Sequence, residues 1–218
     1  MTYEQLKQNK AIRTYIERAD DSLAANGYTE HSVAHVTHVA ERAGRILETL
    51  GYPSHTVELA RIAGYLHDIG NVVNRVSHSQ SGALLAFYLL EQQGMAAEDI
   101  AQITVAIGNH DEGTGVPVSP IAAALILADK SDVRRSRVRV VEGQPFDIHD
   151  RVNASVKEGS LELNDDHTEI ALSLQIDTAI SAVANYFEIF MERMQMCRQA
   201  AQALGLRFRL FINDQCMM

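Results

Sequence analysis

This chain has little of what marks a secreted, membrane-spanning or nucleic-acid-binding protein. Its 218 residues include two cysteines, Cys197 and Cys216, which give no disulfide framework and suit a reducing cytosol. No apolar run approaches the roughly 18 residues of a spanning helix, so no membrane association is expected. The first residues, Met1 to Gln5, lack a basic stretch followed by an apolar one, and no secretory leader is expected. The resulting expectation is a cytoplasmic protein. Basic residues are scarce too: 19 Lys and Arg face 28 Asp and Glu, for a net charge of -9, whereas nucleic-acid binding draws on a basic surface. No nucleic-acid partner is expected. Only four of the 19 basic residues are lysines, and Arg134, Arg135, Arg137 and Arg139 crowd into six positions.

Hydrophobic residues at 46% and charged residues at 22% describe an ordinary folded protein. The length allows one sizeable core with an appendage, read here as residues 1–137 and 138–218. The first part is helical. Tyr3, Leu6, Ile12, Ile16, Ala19 and Leu23 share one face over residues 3–25. Further helices are expected from about Ser32 to Leu50, His55 to Asp68, Ala97 to Asn109, and from Ser119-Pro120 to Asp129. Ser77-His78-Ser79-Gln80 has the form of a capping box, placing His78 in the first turn of a helix ending near Gly94. After Arg137 the pattern changes: residues 137–141 and 206–212 alternate, as do Ile170, Leu172, Leu174 and Ile176. Glu158-Gly159 and Asn164-Asp165-Asp166 read as turns, and a long amphipathic helix is expected over residues 177–204. The appendage is thus a small antiparallel sheet with one long helix, making the whole mainly α with an α+β end.

Six residues able to bind metal, His35, His67, Asp68, His78, His110 and Asp129, recur at or near the ends of these helices. His35 shares the face of Val39, Ala43 and Ile46, whereas His38 lies with Arg42 and Arg45 and faces solvent or a pocket rim. A lone His35 would more often be a satisfied core histidine than a ligand. His67 and Asp68 diverge by about 100° on a continuous helix, so they can approach one ion only if the helix stops there; Gly70 is read as that stop. Asp129 ends a very apolar helix and needs a cation, a donor or water, and Lys130 is the alternative partner. Imidazoles with carboxylates, away from cysteine, suit iron or manganese first, with cobalt, zinc, magnesium or nickel also compatible.

In this order, the stretches His35-Val36-Thr37-His38, His67-Asp68-Ile69-Gly70 and Leu127-Ala128-Asp129 resemble the HD superfamily of metal-dependent phosphohydrolases over roughly residues 28–135. The resemblance implies an HD-type helical bundle in which His35, His67, Asp68 and Asp129 hold one divalent ion and His78 and His110 a second, with Asp68 between them. It further implies attack on phosphorus by metal-activated hydroxide held against Asp68, with Lys130 and Asp132 as support or proton donor. Arg134, Arg135, His38 and Asp111 are then candidates for holding a small phosphorylated substrate, a nucleotide or another phosphoester or phosphoanhydride. Two branches are most similar: symmetric diadenosine tetraphosphate hydrolases, and the HD-GYP phosphodiesterases, from which the chain departs at Asn109 and Val116. The rival reading is a non-catalytic HD-type nucleotide- or metal-binding regulatory module. A homodimer is compatible with either.

Overall fold

The helical periodicities carry through to a computed structural model, which describes residues 1–139 and 148–218. Among the described residues α1 (Tyr3–Lys7) and α2 (Lys10–Ala25) replace the single N-terminal helix expected, because the side chain of Asn9 accepts from the amides of Ala11 and Ile12 and starts a new helix. Then follow α3 (Val33–Thr49), α4 (Ser54–Leu66), a 3-10 turn (Ile69–Val72), α5 (His78–Gln92), α6 (Ala97–Gly108) and α7 (Pro120–Lys130). No helix is long and apolar enough to cross a membrane among the described residues.

The expected capping box at Ser77 does not form. Ser77 adopts a left-handed conformation, φ 58°, with no side-chain cap, and the Gln80 amide instead donates to Gly108 O at 2.8 Å, tying the start of α5 to the end of α6. Gly70 also serves a different purpose from the one expected. A Cβ there would lie 2.0 Å from His78 O and 2.5 Å from the Gly82 amide nitrogen, so glycine lets α5 start against the turn that follows Asp68.

The C-terminal third begins with α8 (Ile148–Ser155), followed by β1 (Val156–Leu163), β2 (Glu169–Ile176), α9 (Val183–Ala203), β3 (Arg207–Ile212) and β4 (Gln215–Cys216). The sheet is mixed, order β1-β2-β3-β4, rather than wholly antiparallel. β2 and β3 run parallel because α9 carries the chain back across the sheet between them. Glu158-Gly159 is no turn but lies within β1, beside a bulge, with Gly159 opposite Leu174. Helix α9 starts at Val183, six residues later than expected. Arg137 belongs to a 3-10 turn, Arg135–Arg137, not to a strand, and residues 140 and 141 of the expected alternation lie outside the described residues.

Ile170, Leu172, Leu174 and Ile176 of β2 and Phe208, Leu210 and Ile212 of β3 are buried together, as period-2 patterning requires. Tyr186, Phe190, Met194 and Cys197 line the buried face of α9, which packs against both α7 and β3. One continuous apolar cluster therefore runs from Tyr3 through α7 to Ile212. Helix α7 lies at its centre: every residue from Ile121 to Lys130 is buried, with α3, α4, α6 and α9 around it.

Candidate metal centre

Each candidate ligand arrives on its own element. Ser32 caps α3, its hydroxyl accepting from the Ala34 amide at 3.0 Å, and sets His35 in the first turn. Helix α4 stops at Leu66, so His67 at its end and Asp68 beyond it turn to the same side. His78 opens α5, His110 follows α6, and Asp129 stands in the last turn of α7. All six residues are buried, at 8% exposure or less.

These elements converge. His35 Nε2 lies 3.5 Å from Asp68 Oδ2 and 3.4 Å from Asp129 Oδ1. His67 Nε2 lies 3.1 Å and 3.5 Å from the same two oxygens. On the other side of Asp68, Oδ1 is 3.4 Å from His78 Nε2, which is 3.2 Å from His110 Nε2. Mutually close donor sets thus overlap around Asp68: His35, His67 and Asp129; His67, Asp68 and His110; His78, His110 and Asp111. Asn71 holds Asp68 in place, its amide donating to Oδ1 and to the backbone oxygen, each at 2.9 Å.

The opposite ring nitrogens show what the inward ones are for. His67 Nδ1 is 2.8 Å from Gly64 O, His78 Nδ1 3.1 Å from Arg75 O, and His110 Nδ1 2.6 Å from Ile107 O. A carbonyl oxygen only accepts, so each Nδ1 donates and each neutral ring presents a lone pair at Nε2. His35 Nδ1 faces Asp132 Oδ2 at 2.7 Å with the same result. Nevertheless, His35 Nε2, His67 Nε2 and Asp68 Oδ2 are buried with no hydrogen-bond partner. Three orphaned electron-pair donors pointed at one small space, each fixed from behind, fit a divalent cation.

The charges agree. Burial works against the imidazolium of His67, yet Asp68 and Asp129 outweigh it and raise its pKa to about 10. Burial would likewise raise both carboxyls, but His67 holds Asp68, and Lys130 and His67 hold Asp129, well below the usual range. A proton and a metal ion would thus compete for His67 Nε2.

The remaining sequence candidates divide. Lys130 is buried at the rim, 2.9 Å from Asp129 Oδ2 and 3.0 Å from Glu112 Oε2. Burial opposes its charge, but those two carboxylates raise its pKa, so it stays an ammonium. Asp111 lies 3.6 Å from His78 Nδ1 and 3.7 Å from Lys130 Nζ. Asp132 does not face the ligand cluster: it accepts from His35 and, at 2.8 Å, from Arg134 Nε. Burial raises its pKa, but His35 and the neighbouring arginines hold it low, so it orients His35 rather than donating a proton. His38 lines a separate cavity of about 180 Å3 with Arg42, Arg45 and Leu161, and burial chiefly lowers its pKa to about 4.

Arg134 and Arg135 line an open groove beside β1, Arg135 Nε donates to Ala154 O at 2.7 Å, and neither borders the recess at the ligand cluster. The arginines that border that recess are Arg75, Arg193 and the buried Arg137. His31 is a further addition, buried with its ring centroid 5.5 Å from that of His35. Burial foremost holds its pKa well below the ordinary value, so it is neutral.

Comparisons with known proteins bear on this geometry. Residues 32–136 match the model of the HD domain. The chain is 26% identical over 213 residues to the uncharacterized protein MJ1020 of Methanocaldococcus jannaschii, covering 87% of this chain and 80% of that protein. A crystal structure described as a predicted HD superfamily hydrolase, from an uncultured Thermotogales bacterium, is similar at 26% identity and TM-score 0.47, covering 62% of this chain and 75% of the other.

Proposed function

From the match of residues 32–136 to the HD domain, we propose that this chain is a divalent-metal-dependent phosphohydrolase of a small phosphorylated substrate, a nucleotide or another phosphoester or phosphoanhydride. The observation that carries the reading is the trio of buried, unpartnered donor atoms on His35, His67 and Asp68. His35, His67, Asp68 and Asp129 would hold one ion, and His78 and His110 a second with Asp68 shared. When bound, such ions supply Lewis acidity, stabilising charge on phosphoryl oxygens and lowering the pKa of water. Iron or manganese suits a donor set of imidazoles and carboxylates without cysteine.

The protein's own groups do the rest. Asn71 fixes the rotamer of Asp68, so one oxygen faces each half of the cluster. Asp132 fixes the tautomer of His35. Lys130 keeps a positive charge beside Asp129 and shares it with Asp111 and Glu112, so three carboxylates can sit around it without mutual expulsion. The pairing also confines Asp129 Oδ2, leaving Oδ1 toward His35 and His67.

The test is turnover of a panel of nucleotides, dinucleoside polyphosphates, cyclic dinucleotides and simple phosphomonoesters by protein loaded with iron or manganese. Release of phosphate or nucleotide, lost in Asp68→Ala while circular dichroism stays unchanged, supports the reading. Turnover of none of them by the loaded wild type would leave the regulatory, non-catalytic module.

A further inference from the structure

Between the centre and the C-terminal helices lies a cavity of about 200 Å3, walled by Tyr28, Arg75, Arg137 and Asn153 and, on α9, Phe190 and Arg193. It shares His31, Arg75, Arg137 and Arg193 with an inner recess of about 10 Å3 that touches Asp68, His78 and Asp129. The same three guanidinium groups therefore border both the open cavity and the approach to the metal ligands. Asp150 is the acidic residue among the outer cavity's lining, against three arginines.

Each arginine is anchored by part of its fork. Arg193 Nε forms an ion pair with Glu112 Oε1 at 2.5 Å, and its guanidinium lies 4.7 Å above the Phe190 ring, while its two Nη groups make no hydrogen bond among the described residues. Arg137 donates from Nε to Glu30 O and from Nη1 to Asp132 O, at 3.0 and 2.9 Å, leaving Nη2. Arg75 reaches Asn71 and His78 through Nη1, with its guanidinium 5.9 Å from the Tyr28 ring. Guanidinium groups held at one edge and open at the other are preorganised for the oxygens of a phosphate, because little side-chain freedom remains to be lost on binding.

We propose that this cavity is a phosphate subsite: the substrate carries a second phosphate, as a bisphosphate or phosphoanhydride, which Arg75, Arg137 and Arg193 hold while its reacting phosphoryl group faces the cluster around Asp68. The proposal rests on the phosphohydrolase reading and deepens it. It assigns the C-terminal part a role, since Arg193 stands on α9, well beyond the HD domain that ends at residue 136.

The test compares binding of two inert probes, propane-1,3-diphosphonate and propylphosphonate, to the manganese-loaded full-length chain by calorimetry at fixed ionic strength. They differ only in the second anionic group. The wild type is expected to prefer the diphosphonate at least about tenfold, the size of one charge-assisted contact set. Arg193→Gln should cut that preference to within about threefold without weakening propylphosphonate, and Arg207→Gln, exposed on β3 and absent from the cavity lining, should retain it. Should Arg193→Gln fail to fold, Arg193→Lys keeps a cation for Glu112 but loses the fork, and a reduced preference is again expected. Equal binding of both probes by the wild type overturns the subsite and leaves the phosphohydrolase reading standing. Binding of neither overturns both, and a preference that survives in the Arg193 variants overturns the role of Arg193.

Discussion

Replacing Asp132 by asparagine should weaken metal binding at least as much as replacing it by alanine. Asp132 Oδ2 accepts the Nδ1 proton of His35 at 2.7 Å, while Oδ1 accepts from Arg134 Nε at 2.8 Å. An asparagine must keep its single oxygen toward Arg134, because a guanidinium only donates. Arg137 Nη1, 3.7 Å from Oδ2, is too far to reverse that choice. The NH2 group then faces His35 and donates to Nδ1, forcing the proton onto Nε2, the atom that points at the ion. Alanine leaves His35 free to keep either tautomer. Loss of an orienting carboxylate behind a metal ligand costs 10–100-fold in affinity, about 1.4–2.7 kcal/mol, and Asp132→Asn should fall at the weaker-binding end. Chelator competition monitored by manganese content measures it directly. Adding Arg134→Gln, which can donate or accept, should release the amide to flip and recover part of the loss. Wild-type affinity in Asp132→Asn, or no recovery in the double variant, would refute the tautomer argument.

Two further outcomes follow from the geometry. His67 Nε2 holds a proton with a pKa of about 10 in the metal-free protein, so proton and metal compete for one atom. Binding at pH 7.5 should release about one proton, and affinity should rise about tenfold per pH unit until the pKa is passed; calorimetry in two buffers of different ionisation enthalpy counts that proton, and a count of zero refutes the competition. Gly70→Ala should destabilise strongly, because the added methyl meets the backbone of His78 and Gly82: about 3 kcal/mol of overpacking lowers Tm by about 6–12 °C, and an unchanged melting curve would contradict the packing.

Much of the helical half was legible because its signals are local. Val36, Val39, Ala43 and Leu47 repeat at helical spacing, and each ligand stands where a pattern stops. That His67 and Asp68 would turn to one side could be argued from the end of α4 alone. The misreadings share a different origin. Gly159 looks like a turn residue until its place opposite Leu174 is known, and Ser77-x-x-Gln80 fits a capping box until Gln80 finds Gly108. The parallel pairing of β2 with β3 followed from a crossover helix whose length was visible but whose consequence for strand direction was not drawn. Arg75 and Arg193 carried no signal, since solitary arginines on amphipathic helices become neighbours only through tertiary packing.

Helix α7 offers no side to water and ends in Asp129 and Lys130. A rod so enclosed cannot rotate or slide by itself; it moves only with the bodies that clasp it, α9 among them. Mechanical disturbance of α9 would thus be passed to the ligand oxygens through packed side chains, and stiffness there is inherited from the protein's middle.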